Sequence, residues 1–290
     1  MLGAGLALTA VLVAAIAASS GGRPWDPQRL RDSLVTAAPH LALDRQVRLA
    51  KQELRRQRAR RAKEHHAIAA ALALTPYVRR GGSAPKLAAL TFDDGPGPFT
   101  ERILDVLQRE HVKATFFVLG RQLAGNEAPL QREVAQGHVV ADHTWSHKAL
   151  TTLSPHNQAL EIDSQADAIQ RAGIPRPTLF RPPFGLYNTE TLKILRRRGM
   201  LSVLWTVDTS DYSATATPQA VAKRVLAETE AGGIVLMHDA GGNRTATARS
   251  LTLIIRGLRK RGFQLVTVPQ LLTRTKIARF QEYVAPSSGA

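Results

Sequence analysis

Leu87-Ala88-Ala89-Leu90-Thr91-Phe92-Asp93, followed by Asp94-Gly95-Pro96-Gly97-Pro98, is a short apolar run that ends in two acids and a cluster of turn formers. A run of this length bounded by Gly and Pro reads as a buried strand. Further apolar runs follow at 114–119, 138–143, 178–181, 201–208, 233–238 and 263–268. Between them, 99–110, 126–136, 156–172, 188–199, 217–230 and 245–261 carry apolar residues at helical spacing. This alternation predicts an α/β fold: parallel strands joined by right-handed helical crossovers, closed into a barrel or wound into an open sheet. Functional groups are then expected at the carboxyl ends of the strands.

Those ends are polar. The first delivers Asp93 and Asp94, whose side chains on an extended chain are expected to point to opposite sides, leaving one free for a cation and the other for a different task. The third ends in His143-Thr144-Trp145-Ser146-His147, where two histidines at i and i+4 are expected to share one face of a helical turn and to grip one cation. The fourth ends in Arg181-Pro182-Pro183-Phe184-Gly185, whose Arg is placed to orient a carboxylate by a bidentate contact while the prolines stiffen the loop. Strand five leads to Asp208-Thr209-Ser210-Asp211-Tyr212 and strand six to Leu236-Met237-His238-Asp239. A carboxylate beside a strand-end His raises its pKa and keeps it protonated as an acid. Each cluster alone has an ordinary reading, as an Asx turn, a packing turn or a capped histidine. Their joint placement at one face points to a divalent-metal hydrolase with open positions on the cation.

Composition narrows the chemistry. The 290 residues contain no cysteine, which excludes disulfides, thiolate zinc sites, iron–sulfur clusters and a Cys nucleophile, so any metal rests on His, Asp and Glu. The net charge of +16 favours an anionic partner. Residues 1–86 hold 15 basic and 5 acidic side chains, so the excess is mainly N-terminal. Residues 41–75 read as a long helix ending before Pro76, and Arg45 to Lys63 carries nine basic side chains against Glu53. This stretch is a solvated basic face or an arm for anionic lipid or wall polymer. No recognition motif or interleaved aromatics accompany it, so specific nucleic-acid binding is not expected. The uncharged run Leu2 to Ala18, followed by Ser and Gly, reads as a signal peptide or membrane anchor, either cleaved or retained.

The ordered motifs resemble those of the polysaccharide deacetylases with the NodB homology domain, carbohydrate esterase family 4. They are Thr91-Phe92-Asp93-Asp94-Gly95-Pro96, His143-Thr144-Trp145-Ser146-His147, Arg181-Pro182-Pro183-Phe184-Gly185, Asp208-Thr209-Ser210-Asp211-Tyr212 and Leu236-Met237-His238. The likeness spans roughly 86 to 275. It implies a distorted (β/α)7 barrel, to which the helix read in the uncovered residues 1–85 adds an N-terminal helical extension, and hydrolysis of N-acetyl groups on N-acetylglucosamine-type glycans such as peptidoglycan or chitin-like polymers. It further implies that Asp94, His143 and His147 hold a divalent metal, usually Zn²⁺, with Asp93 as base, oriented by Arg181. His238 is implied as the acid, tuned by Asp211, with Leu236 and Tyr212 walling the acetyl pocket. The backbone N–H of Phe184 is implied as an oxyanion donor beside it.

Three positions depart from the family's habit. Asp142 stands where Asn is frequent, and is expected to add charge beside the cation and tighten its binding. Phe184 replaces Tyr, and Tyr212 stands where Trp is frequent. The expected organisation is a signal or anchor at 1–22, a basic helical arm at 23–85, a catalytic domain at 86–275 and a tail at 276–290. Such an enzyme is expected at the cell envelope, outside the cytoplasm. The competing readings are an inactive glycan-binding envelope protein, an acetylxylan esterase, or a small-molecule amidase on the same scaffold.

Overall fold

The computed structural model describes residues 27–278. The expected signal or anchor at 1–22, and all but the first residues of the expected tail at 276–290, lie outside the described residues. Helix α1 runs from Pro27 to Leu74, starting well before the expected 41. A proline in the first turn favours this start, because the N–H it lacks has no intrahelical partner there. Contacts divide the chain after Ala59. From 45 to 59 every side chain is exposed, and the apolar residues of α1 are not gathered on one face. From Arg60 onward the chain forms the second unit, in which α1 contributes Ile68 and Ala71 to a buried cluster with Val78, Leu87 and Leu201. This unit therefore begins ahead of 86. Among the described residues, no helix is long and apolar enough to cross a membrane.

Nine strands follow among the described residues of the second unit: β1 (Tyr77–Val78), β2 (Leu87–Asp93), β3 (Thr115–Val118), β4 (Val139–Asp142), β5 (Leu179–Phe180), β6 (Leu201–Val203), β7 (Val207–Asp208), β8 (Gly233–His238) and β9 (Gln264–Val266). Helices α2 (Thr100–Arg109), α3 (Glu127–Ala135), α4 (Pro155–Arg171), α5 (Thr189–Arg197), α6 (Pro218–Glu228), α7 (Thr245–Lys260) and α8 (Val268–Arg274) alternate with them. All the pairings between these strands are parallel, in the order β1-β6-β5-β4-β3-β2-β8-β7, with β9 beside the start of β2. The run expected as one strand at 201–208 is two. Its first half pairs with β5 and its second with β8, so a single stretch of chain changes neighbours and brings the two ends of the sheet together. The result is the expected distorted (β/α)7 barrel, with β1 as an added edge strand.

Strand parity then decides which side chains enter the barrel. On β2, Ala88, Leu90 and Phe92 join the layer under the helices, with Leu104, Leu107, Ile254 and Leu258. Leu87 and Ala89 face the interior with Phe117, Leu179, Val203 and Ile234. A period of two carries this interior face on to Thr91 and Asp93. On β8 the same parity takes Ile234 inward and Val235 and Met237 outward, which aligns Leu236 and His238 with the interior. Register pairs Thr91 with Leu236 and Asp93 with His238. Two polar side chains separated by 145 positions thus stand side by side at one end of the barrel.

The helices have legible boundaries. Ser154 caps α4 with Pro155 in the first turn, and Asn188 and Thr191 form a capping box on α5. On α7 the buried Leu251, Ile254, Ile255 and Leu258 repeat at helical spacing.

Candidate active site

At the carboxyl end of the barrel, β2 delivers the buried Asp93 and Asp94. They do not part as expected. Asp94 has φ 74°, which turns it off the strand and back toward its neighbour's side. His143 Nε2 consequently lies 3.7 Å from Asp93 Oδ2 and 3.7 Å from Asp94 Oδ1. His147 Nε2 is 3.4 Å from Asp94 Oδ1.

The two histidines do not sit on a helical turn. Residues 143–147 form an irregular loop after β4, with Thr144 at φ 73° and His147 at φ 61°. Side-chain caps build this path. Asp142 Oδ1 accepts from the Thr144 N–H at 2.8 Å, and Thr144 Oγ1 from the His147 N–H at 3.1 Å. Glu161 of α4 accepts from the N–H and hydroxyl of Ser146 at 2.8 and 2.6 Å. Sequence reasoning missed Glu161, whose only signal is an acid on the inward face of α4. Asp94, His147 and Phe184 all occupy left-handed backbone, a conformation that costs a non-glycine residue of order 1–3 kcal/mol and persists where the surroundings enforce it.

Asp94, His143 and His147 each offer one ligand atom, and those atoms lie within 4.8 Å of one another. Asp94 Oδ1 is buried without a hydrogen-bond partner, an arrangement that is costly unless something else satisfies the oxygen. The His143 Nδ1–H donates to the Arg181 carbonyl at 2.7 Å, which fixes the tautomer and leaves Nε2 with a lone pair, equally near Asp93 and Asp94. Burial, with His147 nearby, lowers the His143 pKa to about 3, so the ring is neutral, and burial lowers His147 as well. Two neutral imidazoles and one carboxylate fit a zinc-type cation with open positions.

Asp142 does not bring the expected extra charge. It is fully buried, its Oδ2 has no partner, and burial pushes its carboxyl well above the usual range. Burial disfavours its charged form, against the expectation of added charge beside the cation.

Arg181 is wholly buried under the site. Its contact with Asp93 is single rather than bidentate: Nη1 donates to Asp93 Oδ1 at 2.7 Å and to Thr91 Oγ1 at 2.9 Å. The other nitrogens are engaged elsewhere, Nε with the Val203 carbonyl at 3.0 Å and Nη2 with that of Leu204. Phe117 lies under the guanidinium at 4.1 Å. Burial pushes Asp93 above the ordinary carboxylate range, with Arg181 pulling against it. Arg181→Met should leave that buried carboxylate unpaired and lower stability by about 3 kcal/mol in urea unfolding. Adding Asp93→Asn should recover part of the loss, and a fully additive double variant would contradict the pairing.

His238 stands across from Asp93, its Nδ1 2.7 Å from Asp211 Oδ1. Asp211 is buried and held by two further hydrogen bonds, its Oδ2 accepting from the His238 N–H at 2.8 Å and the Thr247 hydroxyl at 2.6 Å, and its pKa is lowered despite burial. Burial opposes the imidazolium of His238, but the Asp211 carboxylate overrides it and raises the pKa to about 9. Asp208 has a different task, capping the Ser210 N–H at 2.8 Å. Leu236 is buried nearby on β8, while Tyr212 and Phe184 are about half exposed. Tyr212 meets His238 edge-on at 5.6 Å, and Phe184 meets His147 at 4.6 Å.

Asp239, which follows His238, is buried and bonded to Thr100, and its N–H donates to the Asp93 carbonyl. It underlies the turn after Asp94, where a Cβ on Gly95 would fall 2.2 Å from its carboxylate.

Comparison with known proteins agrees with this geometry. The family model described as "Polysaccharide deacetylase" matches residues 80–203. A chitooligosaccharide deacetylase of Bradyrhizobium sp. is 36% identical over 203 residues, covering 65% of this chain and 92% of the relative. The peptidoglycan-N-acetylglucosamine deacetylase PgdA of Listeria monocytogenes is 39% identical over 190 residues, which are 64% of this chain but only 39% of that protein. Among solved structures, a peptidoglycan N-acetylglucosamine deacetylase superposes with a TM-score of 0.66 at 31% identity, covering 68% of this chain and 92% of the other. A carbohydrate esterase family 4 pseudoenzyme of Bacillus anthracis superposes at 0.64 with 29% identity, covering 69% and 70%. The barrel, its carboxyl-end cluster and these likenesses converge: the chain belongs to the polysaccharide deacetylase family.

Proposed function

We propose that this protein is a metal-dependent N-deacetylase of glycans built from N-acetylglucosamine-type units, in the manner of the chitooligosaccharide and peptidoglycan deacetylases it resembles. The observation that carries the reading is the unpartnered Asp94 Oδ1, flanked by two neutral imidazoles, with Asp93 and His238 beside it. Asp94, His143 and His147 would hold the cation, Zn²⁺ on the chemistry of the donors. Bound there, it would supply Lewis-acid polarisation of the amide carbonyl and a lower pKa for water. Asp93, held by Arg181, accepts the proton of the attacking water. The Phe184 N–H donates to the oxygen that becomes negative as the tetrahedral centre forms. An amine leaves only when protonated, so His238, kept charged by Asp211, donates to the departing nitrogen. Leu236 and Tyr212 enclose the acetyl methyl group.

A reading as an inactive relative draws on the pseudoenzyme among the structural neighbours. The complete set of base, acid and ligand residues in this chain weighs against it. The organisation follows the sequence: an export or anchor segment, a basic arm and a catalytic domain acting at the cell envelope. The arm has basic side chains exposed along Arg45 to Lys63 and suits an anionic envelope polymer or lipid surface. Incubating the protein and Zn²⁺ with acetylated glucosamine oligomers should release acetate. Release from acetylxylan alone would reassign the activity to an esterase, and glycan binding without turnover would favour the inactive reading.

A further inference from the structure

Beside the site, a cleft of about 490 Å³ opens between the loop after β7 and the start of α7. Gly241 connects it to the catalytic centre: a Cβ there would fall 2.4 Å from Asp94 Oδ2, so the cleft floor lies against the Asp94 carboxylate. Tyr212 forms its near rim and meets His238 edge-on. Pro218 and three alanines give an apolar wall, and Asn243 and Ser213 give polar groups. That mixture suits a sugar ring, with C–H faces and hydroxyl edges.

The charge of the cleft is one-sided. Two arginines line it, and no Asp or Glu does. Arg244 is spent on the fold: it is buried, and its Nε and Nη2 donate to the carbonyls of Ala240 and Gly241 at 2.7 and 2.9 Å. Arg249 is exposed and has neither an ion pair nor a side-chain hydrogen bond among the described residues. It sits on α7 two residues beyond Thr247, whose hydroxyl fixes Asp211. The helix fixes where the Arg249 backbone stands beside the acid–base pair, and its unpaired side chain lines the cleft from there.

We propose that this cleft takes the neighbouring sugar of the substrate strand and that Arg249 selects one bearing a carboxylate. The inference rests on the deacetylase reading and adds the substrate class to it: an acidic glycan rather than a neutral one. A guanidinium matches a carboxylate with two parallel hydrogen bonds, which an uncharged hydroxyl or acetamide cannot equal.

Three oligomers of equal length test it: alternating N-acetylglucosamine and N-acetylmuramic acid with free lactyl carboxylates, the same strand with those carboxylates amidated, and a neutral N-acetylglucosamine oligomer. Wild-type kcat/KM should favour the free acid over its amide by about tenfold, mainly through KM. Arg249→Gln should abolish that ratio, and Arg249→Lys should restore part of it. Equal rates on acid and amide, or a loss in Arg249→Gln common to all three substrates, would overturn the proposal. Binding of the deacetylated strands by calorimetry reads the cleft without turnover. If no oligomer releases acetate, the deacetylase reading fails on its own, while free-acid preference in binding still decides Arg249. A preference lost equally when a peptide carboxylate replaces the lactyl group identifies the sugar as the source.

Discussion

Asp93→Asn is expected to lower kcat on acetylated glucosamine oligomers by about 10³, within the range contributed by a positioned base. The amide has the shape of the carboxylate and keeps an oxygen for Arg181, so KM should change little, while stability should fall because the buried guanidinium loses its counter-charge. It has no basicity with which to take the proton of water. Zinc affinity should stay close to wild type, because Asp94 and the two histidines remain. Retention of more than a tenth of the wild-type kcat would show that another group takes the proton.

The second large effect concerns His238. His238→Asn should lower kcat by about 10² to 10⁴, since the amine then departs unprotonated. The pH profile carries more information than the loss. With the His238 pKa at about 9, the rate should hold through neutral pH and fall as pH rises through about 9, where the imidazolium loses its proton. Asp211→Asn removes the carboxylate that raises this pKa, so the alkaline limb should move down toward the ordinary 6.5 or below. Stability follows the same sign. A group whose folded pKa is raised stabilises fully below its unfolded pKa of about 6.5, and that contribution is lost as pH rises through about 9. An alkaline limb that Asp211→Asn leaves in place would remove His238 from the role of acid.

Much of the barrel was legible because a buried parallel strand writes itself as an apolar run and a covering helix as a stripe. The helix boundaries expected from 99 to 261 each lie within two residues of those found. The failures have particular causes. A two-residue strand such as Tyr77–Val78 contains no period, and it depends on the edge of β6 for its existence. The run at 201–208 looks uniform in sequence, but barrel closure splits it between two partners. Helix α8 lies beyond the strand expected at 263–268 and has no counterpart in the sequence reading, although Thr267 and Gln270 spell a capping box and Pro269 follows closely.

At the site, residue types were readable and geometry was not. The i, i+4 spacing of His143 and His147 suggested a helical turn, whereas left-handed residues and the caps from Asp142, Thr144 and Glu161 produce the approach. Alternation along a strand suggested that Asp93 and Asp94 diverge, which fails where Asp94 leaves the strand. The raised pKa of Asp142 and the two-sided hold on Asp211 depend on burial and on residues far away in the chain, which no local pattern encodes.

The central claim is that three distant side chains share one cation. Titrating chelator-treated protein with Zn²⁺ while following bound metal tests it most directly. About one zinc per chain should bind, and each of Asp94→Ala, His143→Ala and His147→Ala should weaken it by about a hundredfold or more, at least the loss that supporting residues alone can cause. Undiminished zinc binding in all three variants would contradict the account.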